Sequence, residues 1–193
     1  RDYARLPAAR LVPLALGTLV GEVLALYGEA LDKGRLAAEL DEDLPEVMGD
    51  ARQLRQVIHN LVQNALDAVA ERADGHVSVQ TSSARAEDGS LRAVRLTVID
   101  NGPGFADKVL KRAFEPYVTT KPKGTGLGLA VVKKIADEHR ARLRVANLHE
   151  ADDPDGAIGG ARVSLSFSAF PPATEGADPH SAPATGDTRQ VQT

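Results

Sequence analysis

The chain contains no cysteine and no tryptophan, and only one methionine among its 193 residues. Without cysteine there is no disulfide, no thiol nucleophile and no thiolate-ligated zinc, which fits a reducing compartment. Basic residues are in slight deficit, 23 against 27 acidic ones for a net charge of -4, so the chain has no basic footprint for nucleic acid. A long uncharged apolar run is also missing. The nearest approach, Leu11 to Gly28, holds one charge, Glu22, but Pro13, Gly17 and Gly21 weaken it as a span. Its apolar positions Leu16, Leu19, Val20, Val23, Leu24, Tyr27 and Leu31 recur at helical spacing and predict an amphipathic helix instead. No signal peptide or initiator methionine is present, and Arg1 opens in helix-like sequence. The expectation is a piece of a longer protein, with any membrane anchor upstream.

What is present, 42% hydrophobic and 26% charged residues, belongs to a soluble globular protein with one core domain and short appendages. Asp50 predicts the N-cap of a helix running to about Ala73, since Leu54, Val57, Ile58, Leu61, Val62, Ala65, Leu66 and Val69 form a helical stripe. Two alternating segments, His76 to Ser83 and Leu91 to Asp100, predict antiparallel strands joined through Asp88-Gly89. A second helix is expected from about Thr125 through Leu129, Val131, Val132 and Ile135 to His139. Two more strands follow, around Leu143 and Val145 and around Val163, Leu165 and Phe167, joined by the acidic loop Glu150 to Gly160. The fold class is α/β, a helix layer on a mixed sheet, without internal repeat. From Pro171 to Thr193 four prolines lie among Ala, Thr, Gly and Asp, and this tail is expected to be disordered.

Two glycine clusters carry the chemistry: Asp100-Asn101-Gly102-Pro103-Gly104, and Gly124-Thr125-Gly126-Leu127-Gly128-Leu129. Taken alone, the first is a turn after a strand. Its functional reading is that Asp100 accepts a hydrogen bond from an exocyclic amine while Gly102 and Gly104 let backbone approach the ring. Guanine would present a carbonyl there and leave the acid unpaired, so the carboxylate selects adenine. In the second cluster there is no Walker lysine, and Leu129 stands where a Rossmann third glycine belongs. What remains is a set of exposed amides at a helix N-terminus, which favours anions, with Lys121 and Lys123 adding charge. On the long helix Asn60, Asn64 and Asp67 fall within about 60° of one another. A solvated helix edge would look the same, but an amide oxygen can ligate Mg²⁺ already held by phosphate oxygens.

Order and spacing together resemble a GHKL-type ATP-binding domain, the catalytic domain of two-component sensor histidine kinases. Asn60-Leu-Val-Gln-Asn64-Ala-Leu-Asp67 resembles that family's N box, Asp100 to Gly104 its first glycine box, Phe114-Glu115-Pro116-Tyr117 its F box, and Gly124 to Gly128 its second glycine box. The likeness covers roughly Leu14 to Phe170. The wording of Arg-Asp-Tyr-Ala-Arg-Leu-Pro, Gly-Asp-x-x-Gln-Leu-Arg-Gln-Val and Thr-Thr-Lys-Pro is similar to nitrogen-regulation kinases of the NtrY and NtrB type.

The resemblance implies a Bergerat-type two-layer sandwich, with a mixed, mostly antiparallel sheet covered by helices on one face. Residues 1–12 would end a dimerisation helix and its linker, 13–170 would be the catalytic domain, and 171–193 the tail. It implies ATP and Mg²⁺ as ligands. Asn64 would hold the metal, Asn60 and Lys121 would lie by the phosphates, Asp67 would line the site, and Asp100 would read adenine. Gly124, Thr125, Gly126, Leu127, Gly128 and Leu129 would cradle phosphates. Tyr117, Thr119 and Thr120 would belong to a lid from about Phe105 to Lys123. Relatives that hydrolyse ATP place a glutamate where Asn60 stands, and an amide cannot take a proton from water at neutral pH. The implied reaction is therefore transfer of the γ-phosphoryl to a histidine on a dimerisation hairpin upstream of Arg1, then to a response regulator, in a homodimer whose kinase domain is cytoplasmic. An anti-sigma-factor type serine kinase and a non-catalytic nucleotide sensor remain open. Among the histidines, His149 sits in an acidic loop and not on an upstream helix, His59 suits a packing role, and His76, His139 and His180 lack metal-ligand spacing.

Overall fold

The structure, a computed structural model, describes residues 8–112, 128–152 and 155–173. Five strands form the main sheet: β2 (Leu36–Glu39), β4 (Val77–Arg85), β5 (Leu91–Asp100), β6 (Arg142–His149) and β7 (Ile158–Phe167). Their order is β2-β4-β5-β7-β6, with β2 parallel to β4 and every other pair antiparallel. Two short strands, β1 (Val12–Leu14) and β3 (Val47–Gly49), pair separately. The helices are α1 (Leu16–Leu24), α2 (Gly28–Asp32), α3 (Ala51–Ala68), α4 (Asp107–Arg112) and α5 (Gly128–Glu138).

Strand alternation decides where the helices lie. Val77 and Val79 of β4, Val94, Leu96 and Val98 of β5, and Val163, Leu165 and Phe167 of β7 are buried together with the apolar faces of α1, α3 and α5. The intervening positions are mostly polar, among them Ser78, Gln80, Arg95 and Arg162. The two-layer arrangement expected from the sequence is therefore present. At about 1.5–3 kcal/mol for each fully buried large apolar side chain, the stripe Leu54, Val57, Ile58, Leu61 and Val62 makes α3 a major contributor to the core.

The long helix begins where its cap predicts. The Asp50 carboxylate accepts from the N–H of Arg52 at 3.1 Å and of Gln53 at 3.3 Å. Burial works against its charge, yet the amides of Arg10, Gln53 and Arg52 hold its carboxyl below the ordinary range. The helix stops earlier than the expected Ala73. Val69 leaves helical geometry and is fully buried, while the Arg35 guanidinium donates to the carbonyls of Val69 at 2.6 Å and Arg72 at 3.1 Å. That cation satisfies carbonyls beyond the helix end without a glycine cap.

Three further departures have physical causes. The apolar run predicted as one helix to Leu31 breaks after Leu24 into a 3₁₀ turn, Ala25–Tyr27, and then α2. Tyr27 leaves helical backbone (φ -104°, ψ 39°), and its hydroxyl is hydrogen-bonded with His59 Nδ1 at 3.1 Å. Residues Val12–Leu14 form a strand where helical periodicity was read. Strand β2 went unforeseen because its four residues carry no alternation that distinguishes them from a loop. Among the described residues no helix is long and apolar enough to cross a membrane.

The far end of α5 is held by a buried imidazole. His139 is fully buried, and its Nδ1 lies 2.8 Å from the Ile135 carbonyl and its Nε2 3.0 Å from the Asp50 N–H. A carbonyl only accepts and an amide N–H only donates, so the ring is the neutral Nδ1–H tautomer. Arg140 follows at φ 53°, and the Ala141 N–H closes the helix on the Ala136 carbonyl at 2.8 Å. His139→Ala should destabilise the fold by about 2–4 kcal/mol, through a cavity and an orphaned Asp50 amide. Urea unfolding followed by circular dichroism checks this, and a loss below 1 kcal/mol would contradict it.

Candidate functional site

Two of the predicted site residues, Asn64 and Gly128, meet beside α3. Asn60 and Asn64 are half-buried at the edge of its apolar stripe. The Asn64 amide faces the start of α5, where a Cβ built on Gly128 would stand 3.5 Å from its Nδ2 and 3.9 Å from its Oδ1. The N box and the end of the second glycine box are therefore neighbours, although 64 residues separate them in sequence. Leu129 packs partly buried against the core behind them.

On the other flank, β5 ends at Asp100, which is 8% exposed and accepts from the Gly102 N–H at 2.8 Å. Burial pushes its carboxyl above the ordinary range, and the amides of Gly102 and Ala161 pull the other way without cancelling it. Gly102 presses on the last residue of α3, since a Cβ there would stand 2.9 Å from the Ala68 carbonyl oxygen. Gly104 has φ +74°, and a Cβ would meet Ile158 Cγ2 at 2.6 Å and Asn147 Oδ1 at 2.7 Å. Positive φ and close approach both require glycine at this corner.

Asp67 is placed differently from its two companions. It is exposed, accepts from Gln63 Nε2 at 2.9 Å, and its charge is felt at Tyr27. It stands one residue before Ala68, and so beside the Gly102 contact. The remaining expected site residues, Tyr117, Thr119, Thr120, Lys121, Gly124, Thr125, Gly126 and Leu127, lie outside the described residues, as does most of the expected lid.

Two residues that the sequence reading passed over hold the loop after Asp100. Asn101 accepts from the His76 N–H at 2.7 Å and donates to the Asp74 carbonyl at 2.8 Å. Asn147 of β6 accepts from the Phe105 N–H and donates to the Phe105 carbonyl, each at 2.7 Å. The second left a trace in the sequence: Asn147 is a polar residue in the alternating series Leu143, Val145, Asn147. All four described histidines are engaged, His59 with Tyr27, His76 with the Gly34 carbonyl, His139 as above, and His149 with the Gly156 carbonyl at 3.1 Å.

A metal would find a neutral oxygen donor at Asn64, beside the start of α5 at Gly128. Among the described residues no three histidine or carboxylate side chains are grouped to hold a cation. The fit is therefore to a cation that brings anionic ligands of its own, as Mg²⁺ does on a polyphosphate.

Known proteins resemble this chain in sequence and in fold. Residues 49–171 match the family described as histidine kinase-, DNA gyrase B-, and HSP90-like ATPase. The chain is 36% identical over 156 residues to a protein of Rickettsia felis named as an NtrY-like sensor histidine kinase, covering 81% of this chain and 24% of the relative. It is 34% identical over 139 residues to the sensory histidine kinase/phosphatase NtrB of Rhizobium leguminosarum, covering 67% and 36%. The chain thus spans only a quarter to about a third of the relatives it matches. Among solved structures, the catalytic domain of histidine kinase ThkA superposes with a TM-score of 0.67 at 27% identity, covering 83% of this chain and 97% of that one. The same kinase in complex with response regulator protein TrrA gives 0.67 at 24% identity, covering 88% and 45%, a likeness of fold.

Replacing the buried acid tests the adenine reading. Asp100→Asn should weaken ATP binding about ten- to hundredfold, the worth of a hydrogen bond to a charged group. Because the Asp100 carboxyl is raised, it protonates on acidification before exposed carboxylates do, and the wild-type affinity should fall with it. Its ionised form correspondingly costs folding stability at neutral pH, a cost absent below the ordinary carboxylate range. Calorimetric titration from neutral to acid pH should show a steeper loss for wild type than for Asp100→Asn. Parallel curves would contradict the assignment.

Proposed function

The chain belongs to the histidine kinase-, DNA gyrase B- and HSP90-like ATPases, and from that premise we propose that it is the ATP-binding catalytic domain of a sensor histidine kinase of the nitrogen-regulation type. It binds Mg-ATP and transfers the γ-phosphoryl to a histidine on a dimerisation hairpin outside these residues. The observation that carries the proposal is the pairing of Asn64 with Gly128 on one flank of α3 and the seating of Asp100 and Gly102 on the other. In this reading the base lies by Asp100 and the phosphates by Asn64 and Gly128.

The residues divide the work. Asp100 accepts from the adenine amine, and its low exposure makes that hydrogen bond selective. Gly102 and Gly104 bring backbone to the ring. The N-terminal amides of α5, with Gly124 to Leu127 ahead of them in sequence, favour the phosphates, and Lys121, Thr119, Thr120 and Tyr117 are assigned to ATP binding. Asn64 holds Mg²⁺, which supplies charge neutralisation at the phosphate oxygens when bound. Asn60 orients the γ-phosphate and offers no base for water. In the transfer, an imidazole nitrogen of the acceptor forms the new bond to phosphorus. The bond to the β–γ bridging oxygen breaks, ADP leaves with that electron pair, and the ring N–H proton passes to solvent.

The hairpin precedes this domain and makes the full protein a homodimer. A response regulator aspartate receives the phosphoryl, and the domain works in the cytoplasm of a membrane-anchored sensor. Residues 1–12 then lead from the end of the hairpin through its linker, and 13–170 form the catalytic domain. The described end of the linker is already joined to it, since Val12 of β1 pairs with Gly49 of β3 and the Arg10 N–H donates to the Asp50 carboxylate at 2.9 Å.

With radiolabelled ATP the chain by itself should form no acid-labile phosphohistidine, and label should appear on an added histidine-bearing hairpin. Label on serine of a protein substrate would favour the anti-sigma-factor type of kinase, and binding without any transfer would favour a nucleotide sensor. A separate expectation concerns the metal. Asn64→Ala should erase most of the difference between ATP affinity with Mg²⁺ and with EDTA, while a retained difference would remove Asn64 from the metal site.

A further inference from the structure

We propose that Asn147, on the outermost strand of the sheet, is a positioning residue for the adenine pocket. The inference rests on the nucleotide reading above and adds a part of the chain that none of the four boxes contains. Its basis is a row across three strands: Asp100 of β5 is in register with Ala161 of β7, and Ala161 with Asn147 of β6. Asp100 and Asn147 share side-chain parity with Val98 and Val145, so both project toward the helix layer. Two inter-strand spacings, about 10 Å, separate them. Between them lies Ala161, small and 3% exposed.

Residues 101–104 form the arch that leads from Asp100 to Phe105. One end of the arch is fixed at Asp100, whose carboxylate holds the Gly102 N–H. The other is fixed at Phe105, whose N–H and carbonyl are both taken by the Asn147 amide at 2.7 Å. A side-chain amide here reproduces the donor and acceptor pair of a neighbouring strand, and only its oxygen can face the N–H and only its nitrogen the carbonyl. Phe105 therefore gains strand-like pairing from a side chain. The corner between the two anchors is Gly104, packed on Asn147 Oδ1 and Ile158 Cγ2.

The arch carries Gly102 and Gly104, the backbone proposed to meet the base, and short polar linkers set its height. Removing the far anchor leaves Phe105 with two unpaired backbone groups and frees the arch to rise. Asn147 reaches no ligand itself. It acts through Phe105 on the loop, and its loss should fall on base recognition more than on phosphate contacts.

The experiment uses the whole chain, titrated with ATP and GTP, as wild type, Asn147→Ala and Asn147→Asp. The aspartate keeps the volume and one acceptor but loses the donor, and it stands in should the alanine variant not fold. Two hydrogen bonds at the usual net value predict a roughly tenfold loss of ATP affinity. The ratio of ATP to GTP affinity should fall with it, and hydrogen exchange at residues 101–105 should quicken while β4 and β5 stay protected. An unchanged ATP affinity and ATP to GTP ratio in both variants would overturn the proposal alone. Failure of the wild-type chain to bind ATP would overturn the nucleotide reading and the proposal with it.

Discussion

The antiparallel pairing of α3 with α5 is the constraint on which the rest of the molecule depends. Each helix carries one part of the proposed phosphate site, Asn64 on α3 and Gly128 at the start of α5, so their relative position would set it. The pair is fixed at its other end by His139, whose imidazole ties the last turn of α5 to the Asp50 amide at the head of α3. The same Asp50 caps α3 with its carboxylate. One residue thus starts the helix through its side chain and aligns it through its backbone. Apolar packing fills the space between, and the sheet beneath receives both helices on Val98, Leu165 and Phe167.

Much of this was legible in the sequence, and the parts that were not share a cause. Asp50 and the stripe from Leu54 to Leu66 announced α3 because capping and amphipathic period are local signals. The alternation from Leu91 to Asp100 announced β5 for the same reason, and Gly89, at φ +83°, turns where Asp88-Gly89 predicted. Strands β1 and β3 were missed because each is three residues long and is defined by pairing with the other, about 35 residues away. The end of α3 was misplaced because its terminating cation, Arg35, lies before the helix and reaches it only in three dimensions. The site follows the same rule. Asp100, Gly102 and Gly104 stand together in the sequence, whereas the clamp from Asn147 to Phe105 spans 42 positions. Asp67 was grouped with Asn60 and Asn64 by helical angle and by the N-box resemblance, and its bond to Gln63 is a neighbour contact that a helical wheel does not show.

The chemistry follows from what the cleft does and does not offer. In the proposed site the carboxylate assigned to the base, Asp100, has its charge already penalised by burial, and the α3 residues assigned to the phosphates, Asn60 and Asn64, are amides. Amides orient and ligate but do not deprotonate water. A site of this kind suits the proposed transfer to an outside acceptor better than hydrolysis.

The central claim is that one nucleotide lies across α3, with its base at Asp100 and its phosphates at Asn64 and Gly128. Amide resonances followed during titration with a non-hydrolysable Mg-ATP analogue test this most directly. The account predicts saturable shifts concentrated at Asn60, Asn64, Asp100, Gly102, Gly104, Phe105 and Gly128, with Ser78, Thr97 and Arg144 on the opposite sheet face unmoved. Shifts confined to that opposite face, or none at millimolar nucleotide, would contradict it.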